Sequence, residues 1–194
     1  CSGFLYSMTV ASAFIESGVY NNVLVIGADT YSRIIDWNRR DAVFFGDGAG
    51  AAILSNSSGE GGCLASKLYS DGRGKWNFTV PAGGSELPAS KETIEQGLHY
   101  FQMNGKEVFK TATKALPIAI NHVLKDAEIT INEIDLMIPH QPSIKILEKT
   151  AEIIGLPFEK VMTNMDKYAN TSGGTIPILL DELNRAGRIK KGDI

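Results

Sequence analysis

A chain of 194 residues, 43 % hydrophobic, 21 % charged and carrying a formal charge of −3, has a globular composition and length enough for a sizeable core. Its mild acidity argues against general nucleic-acid binding, no apolar run reaches the length of a membrane span, and no secretory signal is visible. Two cysteines, one placed for chemistry, point to a reducing compartment rather than a disulfide framework.

From Gly3 to Ser17, Phe4, Met8, Ala11 and Ile15 recur at three- and four-residue intervals, and Val10 and Phe14 widen the stripe; this spacing predicts a helix. Gly18 is placed to end it. Val23-Leu24-Val25-Ile26-Gly27 is a short, β-branched apolar run, as in a buried strand. Tyr31 to Asp41 is polar and irregular, with Trp37, Arg39 and Arg40 exposed enough to touch a ligand. Val43-Phe44-Phe45 resumes strand character and runs into Gly46-Asp47-Gly48-Ala49-Gly50. A dinucleotide fingerprint needs strand, turn, then helix, but Ala51-Ala52-Ile53-Leu54 leads into a turn at Ser55-Asn56-Ser57-Ser58-Gly59. The glycines therefore read as strand positions that another backbone or loop approaches closely.

Residues 55–90 are loop-rich, with Pro81 to Pro88 the least regular stretch, and form the natural seam between halves 1–90 and 91–194. Trp76, Phe78 and Val80 alternate in strand fashion, which marks a surface excursion. A long helix is expected from Lys106 to about Ala127, with Val108, Ala112, Ala115 and Leu116 on one side and a kink at Pro117. Ile134 to Ile138 reads as a strand. Ser143 caps a helix carrying Ile144, Leu147, Ala151 and Ile154, closed by Gly155; Val161-Met162-Thr163 is a brief strand. Thr175 to Ala186 forms a helix with Pro177 in its first turn and Gly187 beyond its end. Alternating strands and helices imply a layered α/β fold around a buried, largely parallel sheet.

Three chemistry-bearing residues stand in marked contexts. Cys1 precedes the first helix, where free N–H groups and the helix dipole favour a thiolate. His140 follows an apolar run and Pro139, at a strand's end where α/β folds build their sites. Asn170 lies in the Gly/Ser-rich turn of NTSGGTIP; alone it reads as a turn residue or N-cap. A sulfur nucleophile with imidazole and amide donors is the chemistry of acyl transfer. By contrast, Cys63 reads as a small buried hydrophobe, and His99 and His122 as solvated or structural.

Further stretches accompany the three: Phe45-Gly46-Asp47-Gly48-Ala49-Gly50-Ala51-Ala52, Tyr69-Ser70-Asp71-Gly72, Met103-Asn104-Gly105-Lys106-Glu107-Val108-Phe109-Lys110 and Pro139-His140-Gln141. In this order, with CSGF at the start and Asn170-Thr171-Ser172 near the end, they span nearly the whole chain. The chain thereby resembles the β-ketoacyl-acyl-carrier-protein synthases of type III, in the thiolase-like superfamily.

The resemblance implies a thiolase-like layered αβαβα fold of two related halves. Residues 1–90 would be the remainder of the N-terminal half, with Cys1 and a connecting loop; residues 91–194 would be the C-terminal half, with His140 and Asn170. It also implies a fragment, since members carry a substantial segment before the cysteine and a closing strand and loop after this point. A companion segment or chain is then expected to complete the sheet, whose edges would otherwise stay unpaired.

The implied reaction loads an acyl group from acyl-coenzyme A onto Cys1. Malonyl-acyl-carrier protein then loses CO₂ while His140 Nε2 and the Asn170 amide donate to its thioester carbonyl, and the carbanion attacks the acyl-cysteine. No cofactor or metal is implied. Arg39 or Arg40 would contact the nucleotide end of coenzyme A, and Gly105, Phe109 and Ser143 would line the pantetheine tunnel, although Lys106 and Ser143 stand where many members have Asn. Lys110 and Lys145 could form a basic patch for an acidic carrier protein. The expected setting is a cytoplasmic homodimer without membrane or nucleic-acid contacts.

Rival readings fit less well. Cys, His, Asn is also the order of papain-like proteases, but their Cys-Gly-Ser-Cys-Trp-type context and disulfides are absent. An N-terminal cysteine hydrolase begins on a strand, whereas helical spacing starts here at once. The alternative is a related thiolase-fold acyltransferase, or a partner subunit, of a specialised pathway.

Overall fold

A computed structural model of the chain describes residues 1–57 and 61–194. Ser58 and Gly59 of the expected turn lie outside the described residues.

Helix α1, Gly3–Glu16, buries Phe4 and Ala11 and leaves Val10 and Phe14 exposed, so the buried stripe is narrower than the apolar one. Gly18, at φ +73°, ends it as expected. Strand β1, Asn22–Thr30, pairs antiparallel with β2, Asp47–Ser55, from Asn22 opposite Ser55 to Thr30 opposite Asp47. Phe4, Ala11, Val25 and Ile176 close the core between α1, this ladder and helix α6, Thr175–Arg185. The glycine series makes that packing possible: a Cβ on Gly48 would lie 2.8 Å from Thr171 and Ile178, and one on Gly50 2.8 Å from Pro177.

Several expected strands are corrected. Val43 and Phe44 belong to a 3₁₀ turn, Arg40–Phe44, and only Phe45 is extended, forming a parallel bridge with Asn170. Trp76 lies in another 3₁₀ segment, Gly72–Asn77; the alternation survives only as β3, Phe78–Thr79, paired antiparallel with β4, Gln102–Met103. Ile134–Ile138 and Val161–Thr163 meet through one parallel bridge, Met137 to Val161, not a full ladder. Among the described residues the ladders are thus antiparallel, and parallel pairing is confined to isolated bridges.

The helices match more closely. After the short α2, Lys91–Glu95, the long α3, Gly105–Asp126, runs continuously through Pro117, with Val108, Ala112 and Leu116 half-buried and Ala115 exposed. Helix α4, Ile144–Ile154, has Ser143 at its N-cap, but the Ser143 side chain makes no capping bond. Leu147, Ala151, Ile154, Leu156 and Val161 form a second core, against which Ile120 of α3 and Met165 of the short α5, Met165–Tyr168, pack. Among the described residues no helix is long and apolar enough to cross a membrane.

Candidate active site

Cys1 is exposed and stands just before α1, whose first turn begins with the Tyr6 N–H donating to Ser2 O at 3.0 Å. The Cys1 sulfur lies 4.0 Å from the hydroxyl of Tyr31, the first residue after β1. Tyr31 is buried; its ring stacks on Phe45 at 4.8 Å and meets Phe101 edge-on at 5.9 Å. Burial pushes its phenol above the usual range, the side chain of Ser172 works against that shift, and the Asp29 charge adds to it.

Asn170 is held from both sides. Its N–H donates to Phe44 O at 3.0 Å, and its C=O accepts from Gly46 N at 3.0 Å, so the segment between the 3₁₀ turn and β2 fixes the backbone. Its carboxamide Oδ1 accepts the Ser172 N–H at 2.8 Å. Nδ2 is left without a hydrogen bond among the described residues. The turn continues through Gly173, whose N–H donates to Asp29 Oδ2 at 2.8 Å and so ties the loop to β1.

His140 is half-buried, and its Nδ1 lies 2.8 Å from Thr175 Oγ1. Thr175 Oγ1–H in turn donates to Ser172 O at 2.8 Å. Nε2 has no hydrogen-bond partner among the described residues. The next residue, Gln141, is 1 % exposed: its Nε2 donates to Pro139 O at 3.0 Å and Met162 O at 3.3 Å, and its Oε1 accepts Asn164 N at 3.1 Å. These bonds pin the backbone on either side of the imidazole. Burial lowers the His140 pKa to about 4, helped by the positive α-amino group of Cys1, while the backbone of Ser172 works the other way.

One residue, Ser172, touches every branch of this arrangement: its side chain faces Tyr31, its N–H holds Asn170, and its C=O meets the hydroxyl that reaches His140. It does so with φ +52°, a left-handed conformation uncommon for a residue with a side chain.

Chains with the same order of motifs are known. The model of the 3-oxoacyl-[acyl-carrier-protein (ACP)] synthase III family matches residues 1–72, and the model of that enzyme's C-terminal part matches residues 124–194. The chain belongs to this family. The β-ketoacyl-[acyl-carrier-protein] synthase III of Caldanaerobacter subterraneus subsp. tengcongensis is 48 % identical over 195 residues, covering 100 % of this chain and 59 % of the relative. That of Clostridioides difficile is 47 % identical over 194 residues, with the same shares. The crystal structure of the Aquifex aeolicus 3-oxoacyl-[acyl-carrier-protein] synthase III superposes with a TM-score of 0.88 at 38 % identity, covering 100 % of this chain and 58 % of that one. The fold is therefore the thiolase-like α/β fold, and the chain spans 59 % of the length of the curated relatives it matches.

The synthase III resemblance also nominated residues outside the trio. Arg39 is exposed and bound to Asp41 through Nε at 3.0 Å and Nη2 at 2.8 Å, whereas Arg40 makes no ion pair among the described residues. Gly105 and Phe109 are exposed on the first turns of α3, and Ser143 is half-buried before α4. Lys110 pairs with Glu107 at 3.8 Å, and Lys145 is exposed. Among the described residues no side-chain hydrogen bond or ion pair joins these positions to one another or to the trio.

Cys63 departs from expectation: it is exposed, its thiol donating to Ala65 O at 3.5 Å, and Gly61 and Gly62 before it are exposed as well. His99 is structural, with Nε2 2.9 Å from Thr93 Oγ1, and His122 meets the Tyr69 hydroxyl. Among the described residues no group of three or more His, Cys, Asp or Glu could hold a metal ion. Tyr31, Gln141, Ser172 and Thr175 were not singled out by sequence. Gln141 and Ser172 lie inside the motifs PHQ and NTS without a role of their own; Tyr31 falls in a polar, irregular stretch, although it is buried.

Proposed function

We propose that the chain carries the catalytic machinery of a 3-oxoacyl-acyl-carrier-protein synthase III, an acyltransferase that starts fatty acid synthesis. The Cys1 thiolate attacks the carbonyl of an acyl-coenzyme A, and the C–S bond to coenzyme A breaks, leaving an acyl-cysteine and the free thiol. Malonyl-acyl-carrier protein then loses CO₂, and the electron pair of the broken C–C bond passes into an enolate. His140 Nε2–H and Asn170 Nδ2–H donate to the enolate oxygen. The enolate carbon attacks the acyl-Cys1 carbonyl, the cysteine leaves as thiolate, and a 3-oxoacyl-carrier protein departs.

The observation that carries this reading is the pairing at Asn170 and His140. One atom of each side chain is taken by the same loop, Oδ1 by Ser172 N and Nδ1 by Thr175 Oγ1, while Nδ2 and Nε2 are left for a ligand. Two donors fixed on a preformed loop stabilise developing negative charge without reorganisation, each by a few kcal/mol. Neither is a carboxylate that would repel the enolate. The low pKa of His140 keeps the imidazole neutral, so it donates without becoming a competing acid.

Around this centre we assign Arg40 or Arg39 to the phosphates of coenzyme A, Arg40 being the one without an ion pair among the described residues, and Gly105, Phe109 and Ser143 to the pantetheine arm. Lys110 and Lys145 are the carrier-protein contacts. The setting we infer is a cytoplasmic homodimer that needs no cofactor or metal.

The test is to incubate the complete protein with acetyl-coenzyme A, weigh the peptide containing Cys1, then add malonyl-acyl-carrier protein and look for a 3-oxoacyl product. An acyl adduct on Cys1 followed by that product is expected. An adduct-free cysteine would instead point to a partner subunit.

A further inference from the structure

The loop that carries Asn170 is one arc of a ring of chain, and a carboxylate closes the ring. Glu182 lies on α6, the helix that follows the loop. Its Oε2 accepts the side-chain N–H of Asn164 at 2.7 Å, and its Oε1 accepts the Tyr168 hydroxyl at 2.9 Å and Lys167 Nζ at 3.4 Å. Asn164 is the N-cap of α5 and Tyr168 its last residue, so one side chain holds both ends of a four-residue helix. The Asn164 side chain is buried at 4 % exposure and makes no capping bond to α5; its amide goes to Glu182 instead.

The residue between α5 and Asn170 explains why a single turn needs such an anchor. Ala169 sits at φ +56° and ψ −151°, a region rarely entered by a residue with a Cβ. Backbone of this kind persists only where the structure on both sides over-determines it. On one side Asn170 is fixed by Phe44 O and Gly46 N. On the other stands α5, and one helical turn does not hold itself in place. A Cβ on Gly46 would collide with the Tyr168 carbonyl oxygen, so the end of α5 also lies hard against the segment that grips Asn170. Released from α6, the turn would let Ala169 relax and Asn170 rotate with it.

We propose that Glu182 is a positioning residue: by clamping both ends of α5 to α6 it holds Ala169 in its strained conformation and so aims the Asn170 carboxamide into the site. The consequence for catalysis rests on the synthase reading above, but the clamp itself can be read without activity. Among the described residues Glu182 makes no hydrogen bond or ion pair to Cys1, His140 or Asn170, so it acts through the backbone. The Asn164 bond, aided by Tyr168 and Lys167 and opposed by burial, holds its carboxyl below the usual range. It therefore remains an acceptor for both ends of the turn at neutral pH.

The experiment uses the complete protein in a double-mutant cycle. Glu182→Ala, and Tyr168→Phe as a milder release of one end, are each made with Ala169 and with Ala169→Gly. Glycine takes this backbone conformation without strain, so it should make the clamp dispensable. With Ala169 present, decarboxylation of malonyl-acyl-carrier protein should fall about 100-fold in Glu182→Ala and about 10-fold in Tyr168→Phe. Acylation of Cys1 by acetyl-coenzyme A should stay within about 3-fold of wild type. With Ala169→Gly, each change should cost less than about 5-fold. Amide hydrogen exchange over residues 165–172 should be at least about 10-fold faster in Glu182→Ala, with β1 and β2 unchanged. Equal losses in the two backgrounds overturn the inference, because a contact that only stabilises the fold is indifferent to Ala169. Unchanged exchange over 165–172 overturns it as well. Should Glu182→Ala not fold, the Tyr168→Phe cycle decides the matter alone. A protein that shows the exchange pattern but neither acylates nor decarboxylates contradicts the synthase reading and still bears out the clamp.

Discussion

Asn170 and Ser172 are joined by a 2.8 Å hydrogen bond in which the serine N–H donates to the carboxamide oxygen, turning Nδ2 away from the loop. Asn170→Asp preserves that acceptor and replaces the free donor with a second oxygen. The fold should therefore survive, with a melting temperature close to wild type, while charge repulsion raises the decarboxylation barrier. We expect CO₂ release from malonyl-acyl-carrier protein to drop at least about 100-fold, and acylation of Cys1 to change far less. Equal loss in both steps would remove Asn170 from the donor role.

His140 makes stability depend on acidity. Its folded pKa of about 4 lies below the unfolded value near 6.5, so between the two the unfolded chain binds a proton that the folded chain refuses. Stability contributed by the neutral, buried ring is full above pH ~6.5 and is lost as pH falls towards 4, by about 3 kcal/mol in all. Urea unfolding at several pH values, with His140→Gln as the non-titrating reference, should show that slope in wild type only.

Helices were legible because each has a local signature. Pro177 and Gly187 bracket α6, and Gly155 closes α4, through backbone preferences that operate within a turn. Strand pairing was less so: Ile134–Ile138 has strand composition, yet what it pairs with depends on Val161, distant in the chain, and only one bridge forms. Tyr31 shows the same limit. Its burial comes from Phe45 and Phe101, residues 14 and 70 positions away, and no window around Tyr31 contains them. Thr175 was visible as a helix start, but its second contact, to His140, spans 35 positions.

Tyr31→Phe separates ring from hydroxyl. The ring stack on Phe45 and the edge contact with Phe101 are kept, so stability should change by no more than about 1.5 kcal/mol. The hydroxyl 4.0 Å from the sulfur is lost, and with it a group able to donate to a thiolate. Alkylation of Cys1 by iodoacetamide should slow roughly 3-fold at neutral pH. An unchanged rate would reduce Tyr31 to a packing residue.

Gln141→Leu tests whether the residue beside the imidazole is a structural pin. Leucine fills comparable space but leaves the Asn164 N–H and the Pro139 and Met162 carbonyls without the side-chain bonds they make now. Each buried group left unpaired costs about 1–3 kcal/mol, so a net loss of about 2–4 kcal/mol is expected in chemical denaturation. Decarboxylation should fall more than Cys1 acylation, since the backbone being released carries His140.

Gly27→Ala probes the contact between β1 and the loop that holds the donors. A Cβ at Gly27 would collide with the Gly173 carbonyl oxygen, which is backbone and cannot swing aside as a side chain can. The loop must shift, moving Ser172 and with it the fixed ends of Asn170 and His140. Overpacking of this kind costs about 1–3 kcal/mol. Gly3→Ala, where an added Cβ meets nothing within 4 Å, is the matched control and should stay within about 0.5 kcal/mol of wild type. Thermal melts of the two variants, together with CO₂ release, should then separate them: Gly27→Ala loses stability and decarboxylation together, and Gly3→Ala loses neither. If Gly27→Ala melts and decarboxylates like wild type, β1 does not position the donor loop.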